Sequence, residues 1–236
     1  MSQFKESEIY FKAGSNVLVL DPKVECQFGF FATSDPSLVK VEHVHLACER
    51  NAQGFDIEHA DDLLSLNFPN LQFITDDGIL KIDDCDKLVS IQAPLLETVG
   101  GVITIQNCAL LTSVGLESLL IAGGLVIKTN AALTVIHLPN VTEITGAVDL
   151  SDNLIASIDA DTLTALDLAC SDDIDLSGNA LTNAAIAAIC TALTTTWGAL
   201  GNTLDLSGGT NAIPAGAAAT AVTALEGAGA TVTVNS

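Results

Sequence analysis

This chain of 236 residues has few positively charged residues, and their scarcity is the most informative feature of its composition. Eight Lys and Arg residues stand against 29 Asp and Glu, which gives a formal net charge of -21, and no Lys or Arg follows Lys128. A chain this acidic repels nucleic acid and anionic lipid, because both are negatively charged. The composition therefore argues against nucleic-acid and membrane partners.

Aromatic residues and long apolar runs are also scarce. The chain has one Trp and one Tyr, and all eight Phe residues lie at or before Phe73. No apolar run reaches the ~18 residues that a membrane span requires, and residues 1–6 lead into no hydrophobic signal core. We therefore expect a protein made in a cytoplasm without a signal peptide for Sec-type export.

What the sequence does contain is a repeat of about 23 residues. The copies are ILKIDDCDKLVSIQAPLLETVGG (79–101), VITIQNCALLTSVGLESLLIAGG (102–124), LVIKTNAALTVIHLPNVTEITGA (125–147) and the partial VDLSDNLIASID (148–159). Each full copy has room for two short strands, such as residues 80–82 and 90–92. Each copy would form one turn of the fold. A single turn cannot bury its own apolar face, so neighbouring turns must stack about 4.8 Å apart. The repeat therefore predicts a solenoid.

The apolar residues that recur at the first strand of each copy are predicted to form the core column. They are Leu80 and Ile82, Ile103 and Ile105, Leu125 and Ile127, Val148 and Leu150, Ile174 and Leu176, and Leu204 and Leu206. The spacing grows to 26 residues before Leu176 and to 30 before Leu206. We assign the extra length to helices, one over 184–193 and one from Pro214 to Gly227, followed by a last strand over 231–234.

Six cysteines are present, but without a signal peptide we expect thiols and not a disulfide framework. Cys85 and Cys108 hold the same place in successive copies, so they should stack in a buried column. A reactive or redox pair is the alternative.

Residues 1–60 differ in kind from the repeat and are predicted to form an N-terminal β-rich cap or docking segment ahead of a solenoid over 61–236. Residues 8–20 predict a hairpin around an Ala-Gly-Ser-Asn turn. We single out five aromatic residues of this segment as candidates for docking to a partner: Tyr10, Phe11, Phe28, Phe30 and Phe31.

The repeat carries a family resemblance in its motifs. Residues 90–101 follow SIxxPxLxxVGG, and residues 148–153 and 174–181 carry an LxLSxN-like core. Over about residues 64–236 the chain resembles the leucine-rich-repeat superfamily, in its receptor L-domain-like and bacterial or phage forms. The resemblance implies a right-handed, mainly β solenoid with short helices, α/β C-terminal repeats and an atypical N-terminal β cap. It also implies that Asn130, Asn153 and Asn179 point inward and bond to the backbone, with Asn107 as a further candidate.

The strongest polar pattern is a column formed by Asp149, Asp175 and Asp205, each the outward residue between two inward hydrophobes. Three stacked carboxylates repel one another, so either a cation bridges them or solvent and salt screen them. Calcium is the expected cation, because it prefers carboxylate oxygens. A solvated acidic face is the alternative.

A second candidate cluster contains histidine. His43 and His45 point to the same side of a predicted strand and could bind a transition metal with His59 or Cys48, although a structural or surface role is the alternative. We find no nucleophile elbow, glycine-rich phosphate loop or paired-acid motif, and therefore expect a non-enzymatic protein without a cofactor other than calcium.

The C-terminal stretch over 204–216, with 225–227 and 232–234, resembles the ending of repeat proteins from tailed phages and environmental bacteria. This resemblance implies a structural protein of a phage virion, of capsid decoration, head fibre or tail fibre type. The N-terminal segment would bind other virion proteins and the acidic solenoid would project outward, with self-association possible. The alternative is a bacterial recognition or adhesion module that binds protein or glycan, either cytoplasmic or exported by a non-Sec route. Trp197 is the one residue of the C-terminal half of a type that commonly anchors an interface, so tight aromatic-anchored binding is not expected there.

Overall fold

The structure is a computed structural model, and it describes residues 54–60, 62–75, 77–194 and 196–236 in full. Before residue 54 it describes the backbone of five strands. The strands in chain order are β1 Glu8–Phe11, β2 Val17–Asp21, β3 Glu25–Cys26, β4 His43–Leu46, β5 Arg50–Asn51, β6 Gly54–Glu58, β7 Ser65–Asn67, β8 Phe73–Ile74, β9 Ile79–Asp83, β10 Ser90–Gln92, β11 Thr98–Gln106, β12 Ser113–Gly115, β13 Ile121–Lys128, β14 Glu143–Ile144, β15 Val148–Asp149, β16 Ile174–Asp175, β17 Thr203–Leu206 and β18 Thr231–Val234. The helices are α1 Ala160–Ala169, α2 Asn183–Ala192 and α3 Ala217–Ala228, with a short 3-10 helix at Gly198–Leu200.

The strands form two sheets that are parallel throughout, except for the β1–β2 hairpin. The short sheet has the order β1-β2-β4-β7-β10-β12. The long sheet has 12 strands and does not close into a barrel. The fold is therefore mainly β with parallel sheets and a few short helices, as the sequence predicted at that level.

The long sheet contains two ladders of strands. The main ladder runs through β6, β9, β11, β13, β15, β16, β17 and β18, and the side ladder runs through β3, β5, β8, β11, β13 and β14. β11 and β13 belong to both, because each continues through a Gly-Gly pair. A Cβ at Gly123 would lie 2.5 Å from the carbonyl oxygen of Gly100, so the close approach of the two strands requires glycine.

The register of the main ladder matches the predicted core column. Ile103 pairs with Leu80 and with Leu125, and the column continues through Val148, Ile174 and Leu204. The side chains of this column are all buried. The short strands of the side ladder, such as β8 and β14, give the turns up to β14 a third strand that the sequence analysis did not predict.

The predicted N-terminal hairpin is confirmed as β1 paired antiparallel with β2. β2 also pairs in parallel with β4, which pairs with β7, and β3 pairs with β5, which pairs with β8. Strands of residues 1–60 therefore extend both sheets. The division into segments 1–60 and 61–236 stays a prediction.

Shortly after successive strands of the main ladder, one buried residue points inward. These residues form a column of cysteines and asparagines, which we call the inward corner column. Cys85 and Cys108 are free and fully buried, as predicted, and their thiols contact the carbonyl oxygens of Asp83 and Gln106. Three buried asparagines follow in the next turns of the chain: Asn130, Asn153 and Asn179. Both residue types suit this column, because both are small and able to bond to the backbone.

Each asparagine of this column joins two turns. The amide group of Asn153 donates to the carbonyl oxygens of Ile127 and Leu150, and its Oδ1 accepts the N–H of Asn130. Asn211, which the sequence analysis did not assign to the column, bonds in the same way to the carbonyl oxygens of Leu176 and Leu206. The inward role implied by the resemblance is present at the three predicted asparagines and at a fourth.

The same role is wrong for Asn107, which is exposed and has φ 55°. It is part of a column of left-handed corner residues, one in each turn, at which the chain leaves the main ladder: His59, Asp84, Asn107, Thr129, Asp152, Gly178 and Gly208. A residue in the left-handed region reverses the local direction of the chain without a longer loop. Asn107 therefore makes the corner, and Cys108 takes the inward place.

The helices replace the short sheet in the last turns. α1 was not predicted, and it begins after Asp159, whose carboxylate accepts the N–H of Thr162. α2 is confirmed, with Thr182 as its N-cap. α3 begins at Ala217 and not at Pro214, after Gly216 with φ 57°. Each helix buries one face of small and branched apolar side chains against the core.

Candidate binding face

The outward side of the main ladder is the most regular polar surface among the described residues, and we call it the ladder face. Its central column is Asp56, Lys81, Thr104, Val126, Asp149, Asp175, Asp205 and Thr233. Asp175 pairs in register with both Asp149 and Asp205. The prediction that these three aspartates stack is confirmed.

Each of the three aspartates is tied to the serine two residues later. Oδ1 of Asp175 accepts the N–H of Ser177 at 2.8 Å, and Oδ1 of Asp205 accepts the N–H of Ser207 at 2.8 Å. Asp149 accepts both the N–H and the hydroxyl of its serine. The repeated Asp-Leu-Ser segment therefore ends each strand with a local side-chain turn. One carboxylate oxygen of each aspartate is used inside the fold.

Lys128 is the last basic residue of the chain, and it lies beside the first of these aspartates. Its Nζ donates to Oδ2 of Asp149 at 2.7 Å. This hydrogen bond raises the pKa of Lys128. Burial alone would raise the pKa of Asp149, but the bonds from Lys128 and Ser151 outweigh it and bring the pKa below its usual value. The negative charge of the column is thus partly compensated at Asp149.

The charge balance of the ladder face changes along its length. At its N-terminal end Lys81 forms ion pairs with Asp56 and Glu58. From Asp149 onward the acids outnumber the bases, because no Lys or Arg follows Lys128. The C-terminal half of the face is therefore the part that would attract a cationic group.

Metal binding has limited support from the geometry. Across the residues that the structure describes, no group of three or more His, Cys, Asp or Glu side chains is arranged to hold a metal ion. Lys128 supplies a cationic charge beside Asp149. Calcium binding at the aspartate column stays a prediction.

The other predicted site residues lie at the N-terminal end. Tyr10 and Phe11 are in β1, of which the backbone is described, and Phe28, Phe30 and Phe31 lie outside the described residues. His43 and His45 are alternate residues of β4, where again the backbone is described, and Cys48 lies outside. His59 is a corner residue, and its Nδ1 lies 2.5 Å from Oδ2 of Asp84. The docking and transition-metal hypotheses stay predictions.

A second histidine–aspartate pair, missed by the sequence analysis, lies where the short sheet gives way to helices. Nδ1 of His137 lies 3.0 Å from Oδ2 of Asp159, the N-cap of α1. The hydrogen bond with Asp159 raises the pKa of His137. Burial would raise the pKa of Asp159, but the bonds from His137 and Thr162 lower it overall. The pair joins a loop to the start of a helix.

Trp197 is not available as a surface anchor, because its side chain is fully buried. Its Nε1 donates to the carbonyl oxygen of Asp172, and its backbone N–H donates to the buried carboxylate of Asp167. Trp197 therefore serves the core and does not anchor an interface at the surface. A lone Trp in an Ala-rich and Thr-rich segment fills the core that small residues leave open.

The four described thiols are all buried, and only that of Cys85 has a lowered pKa, because of its hydrogen bond with Cys108. The hydrogen bond with Cys85 and burial together raise the pKa of Cys108. Burial raises the pKa of Cys170 and raises that of Cys190 to about 12. Reactive thiols need the opposite shift and access to solvent. The packing of these cysteines favours the structural interpretation of Cys85 and Cys108.

Comparisons of the chain with protein-family models, with curated proteins and with solved structures find no match. In the part of the chain that the structure describes, the helices are too short or too polar to cross a membrane.

Proposed function

We propose that this protein is a non-enzymatic structural component of a phage particle, of capsid decoration, head fibre or tail fibre type. In this proposal the N-terminal segment, residues 1–60, binds other virion proteins, and the rest of the chain projects outward as a right-handed leucine-rich-repeat-like solenoid. The proposal unites the phage-like ending of the sequence with the division of the chain into an aromatic end and an acidic end.

The observation that carries the proposal is the continuity of the main ladder. Its eight strands, from β6 to β18, are separated by seven parallel pairings. At about 4.8 Å for each pairing, this ladder spans roughly 34 Å. A segment that binds at the N-terminal end would hold the acidic C-terminal end at that distance. Such a rigid spacer suits a decoration or fibre protein.

The use of polar groups supports the same interpretation. On the ladder face the aspartates bond to neighbouring serines, and in the inward corner column the asparagines join successive turns. These groups stabilise the stack and leave little side-chain chemistry for catalysis. Solenoids of this kind act through extended surfaces.

A second candidate function is recognition of a cationic partner by a bacterial adhesion or recognition module. It is favoured by Asp175 and Asp205, which lie on neighbouring strands of the ladder face beyond the last Lys of the chain. A positively charged peptide would find an unbroken acidic strip there. This candidate needs no virion and predicts that the protein belongs to a cell surface or to a secreted fraction.

The proposed docking segment is tested by replacing three aromatic residues with serine, as Phe28→Ser, Phe30→Ser and Phe31→Ser in one chain. Particles that assemble with this variant should lack it, while the purified variant should keep the circular dichroism and melting temperature of the native chain. A matched control, Phe55→Leu, changes a buried aromatic residue of the main ladder. This control variant should still be incorporated into particles, provided that it folds. Normal incorporation of the folded triple variant would contradict docking through this segment.

A further inference from the structure

The C-terminal end of the main ladder is an open strand edge. β18 is the end strand of the long sheet and pairs with β17. In the preceding turns the inward residues donate their backbone N–H to the next strand, as Leu150 does to Asp175 and Leu176 does to Asp205, both at 2.8 Å. Val232 and Val234 have the corresponding register in β18. Their N–H groups therefore point away from β17, where the described residues supply no further strand.

The apolar core is incompletely covered at the same end. Leu204 and Leu206 of β17 are fully buried, whereas their register partners Val232 and Val234 are partly exposed although they pack against the core. Every earlier strand of the main ladder has a further strand beyond it. The exposed flanks of the two valines are therefore apolar surface of a kind that the next turn covers elsewhere.

The helix beside this edge presents a small apolar surface. Thr220 and Thr223 of α3 donate their hydroxyls to the carbonyl oxygens of Gly216 and Ala219 in their own helix. Both threonines are exposed, as are Ala219 and Ala224 of the same helix. Small side chains of this kind let a second helix approach closely.

The segment that contains β18 is also unusually poor in charged side chains for so acidic a protein. Residues 227–236 carry no charged side chain, in a chain with a formal net charge of -21. Exposed sheet edges are commonly protected by Lys, Pro or a bulge, which prevent pairing with another chain. β18 has none of these, and its four residues, Thr-Val-Thr-Val, are all β-branched.

We propose that β18 pairs antiparallel with β18 of a second copy of this chain, about a two-fold axis at Thr233. In this register Val232 lies opposite Val234 of the partner subunit, and the two Thr233 residues face each other. The backbone groups of both valines then bond across the interface, because these groups point away from β17. The inward faces of both ladders stay on the same side, so the two cores become continuous.

A second copy fits this edge better than an unrelated strand for two reasons. The Thr-Val-Thr-Val sequence is self-complementary in this register, with Val opposite Val inside and Thr opposite Thr outside, and both pairs suit neighbouring strands. The lack of charged side chains after Glu226 also lets two acidic chains approach each other at β18. An isologous contact of this kind closes as a dimer and does not continue into a fibre.

The mass of the purified full-length chain, measured by sedimentation equilibrium over a range of concentrations, tests the proposal. The native chain should sediment as a dimer. Thr233→Lys places two like charges opposite each other and should give a mass of one chain. Val234→Pro removes an N–H that points away from β17 and should do the same. Thr134→Lys, at an exposed site of another turn, should leave the dimer intact.

Cross-linking tests the register. Two residues that face each other at a non-hydrogen-bonded antiparallel site have Cα atoms about 4.5 Å apart, within the range of a disulfide. Thr233→Cys, oxidised with glutathione disulfide, should therefore give a covalent dimer, whereas Asp205→Cys, one strand further in, should not. The native chain, oxidised in parallel, is the control, because it shows any cross-link that its own cysteines form.

Either of two results would overturn the proposal. The first is a native chain that stays a monomer, in which case the edge is covered by another protein or by another segment. The second is a dimer that persists in folded Thr233→Lys and Val234→Pro variants without the Thr233→Cys cross-link, which would place the contact elsewhere. Circular dichroism of each variant shows whether it is folded.

Discussion

At the scale of single residues, the inward corner column does most to hold successive turns together. Asn153 illustrates this, because its amide satisfies backbone groups of two neighbouring turns while it is almost fully buried. A buried backbone group that loses its partner costs about 1–3 kcal/mol. The stability of the stack therefore depends on a few asparagines that contribute nothing to its surface.

We predict that Asn153→Ala lowers the free energy of unfolding by about 2–4 kcal/mol, because it leaves buried backbone groups without partners. Urea unfolding followed by circular dichroism measures this loss. The control is Asn140→Ala, which removes an exposed amide that donates to the carbonyl oxygen of Glu117 and should cost about 0.5 kcal/mol or less. Equal losses for the two variants would show that the inward column has no special role.

A second residue-scale prediction concerns pH. The pKa of His137 is raised above its ordinary value of 6.5 by Asp159, so the folded state binds the proton more tightly than the unfolded state. The resulting stability is fully present below the unfolded pKa and is lost as pH rises through the folded pKa. The native chain should therefore melt above His137→Gln at about pH 5, and the difference should vanish by about pH 9.

The pair itself is tested by repeating this comparison in an Asp159→Asn background. There His137 loses its hydrogen-bonded carboxylate and keeps only the more distant charges of Glu117 and Asp161, so the pH-dependent difference that His137→Gln makes should shrink strongly. A pH-dependent difference that survives undiminished in this background would mean that Asp159 is not the main group that raises the pKa of His137.

At the scale of elements, the left-handed corners connect the strands of the main ladder to the rest of each turn. All but one of the residues in this corner column are Gly, Asn, Asp or His, which adopt positive φ more readily than other types. Thr129 is the exception, with φ 56°, and a β-branched side chain is strained there. The corner at Thr129 is therefore a place where the native sequence is not the most stable one.

We predict that Thr129→Asn stabilises the protein by about 0.5–1 kcal/mol, because asparagine adopts the left-handed region at lower cost. Thermal melting measures the gain. Thr134→Asn, at an exposed site outside the corner column, is the matched control and should be close to neutral. A loss of stability in Thr129→Asn would contradict the idea that this corner is strained.

The elements also show which parts of the fold could be predicted. The register of Asp149, Asp175 and Asp205 and the burial of Leu80 through Leu204 followed from the recurring strand motif, because stacked turns must keep their strands aligned even where the turns differ in length. The side ladder was not predicted, since four of its six strands are only two residues long. α1 was missed because its apolar pattern is weak, with three Asp or Thr residues among its first five.

The candidate site was predicted only in part, for a related reason. The outward direction of the three aspartates follows from strand alternation, but their bonds to serines depend on turn geometry that alternation does not specify. Asn211 was missed because two extra residues, Gly209 and Thr210, shift it from the place of the other asparagines. The burial of Trp197 could not be predicted, because residue type alone does not show which loop folds over the core.

At the scale of the whole molecule, charge and shape divide the chain into two ends. The aromatic and basic residues are concentrated in the N-terminal third, and the ladder face becomes more acidic beyond Lys128. Each end has its own proposed partner: virion proteins at the docking segment, and a second copy of the chain at β18. If both contacts form, two anchored chains are joined at their tips, which would stiffen a decoration or fibre.

The measurement that tests the proposed function most directly is quantitative mass spectrometry of purified phage particles. Peptides should be counted before residue 129, because trypsin finds no Lys or Arg after Lys128. The account predicts that the protein is present at a fixed number of copies for each particle and is retained through density-gradient purification. Absence from purified particles, with the protein recovered instead from host cell surfaces or secreted fractions, would contradict it.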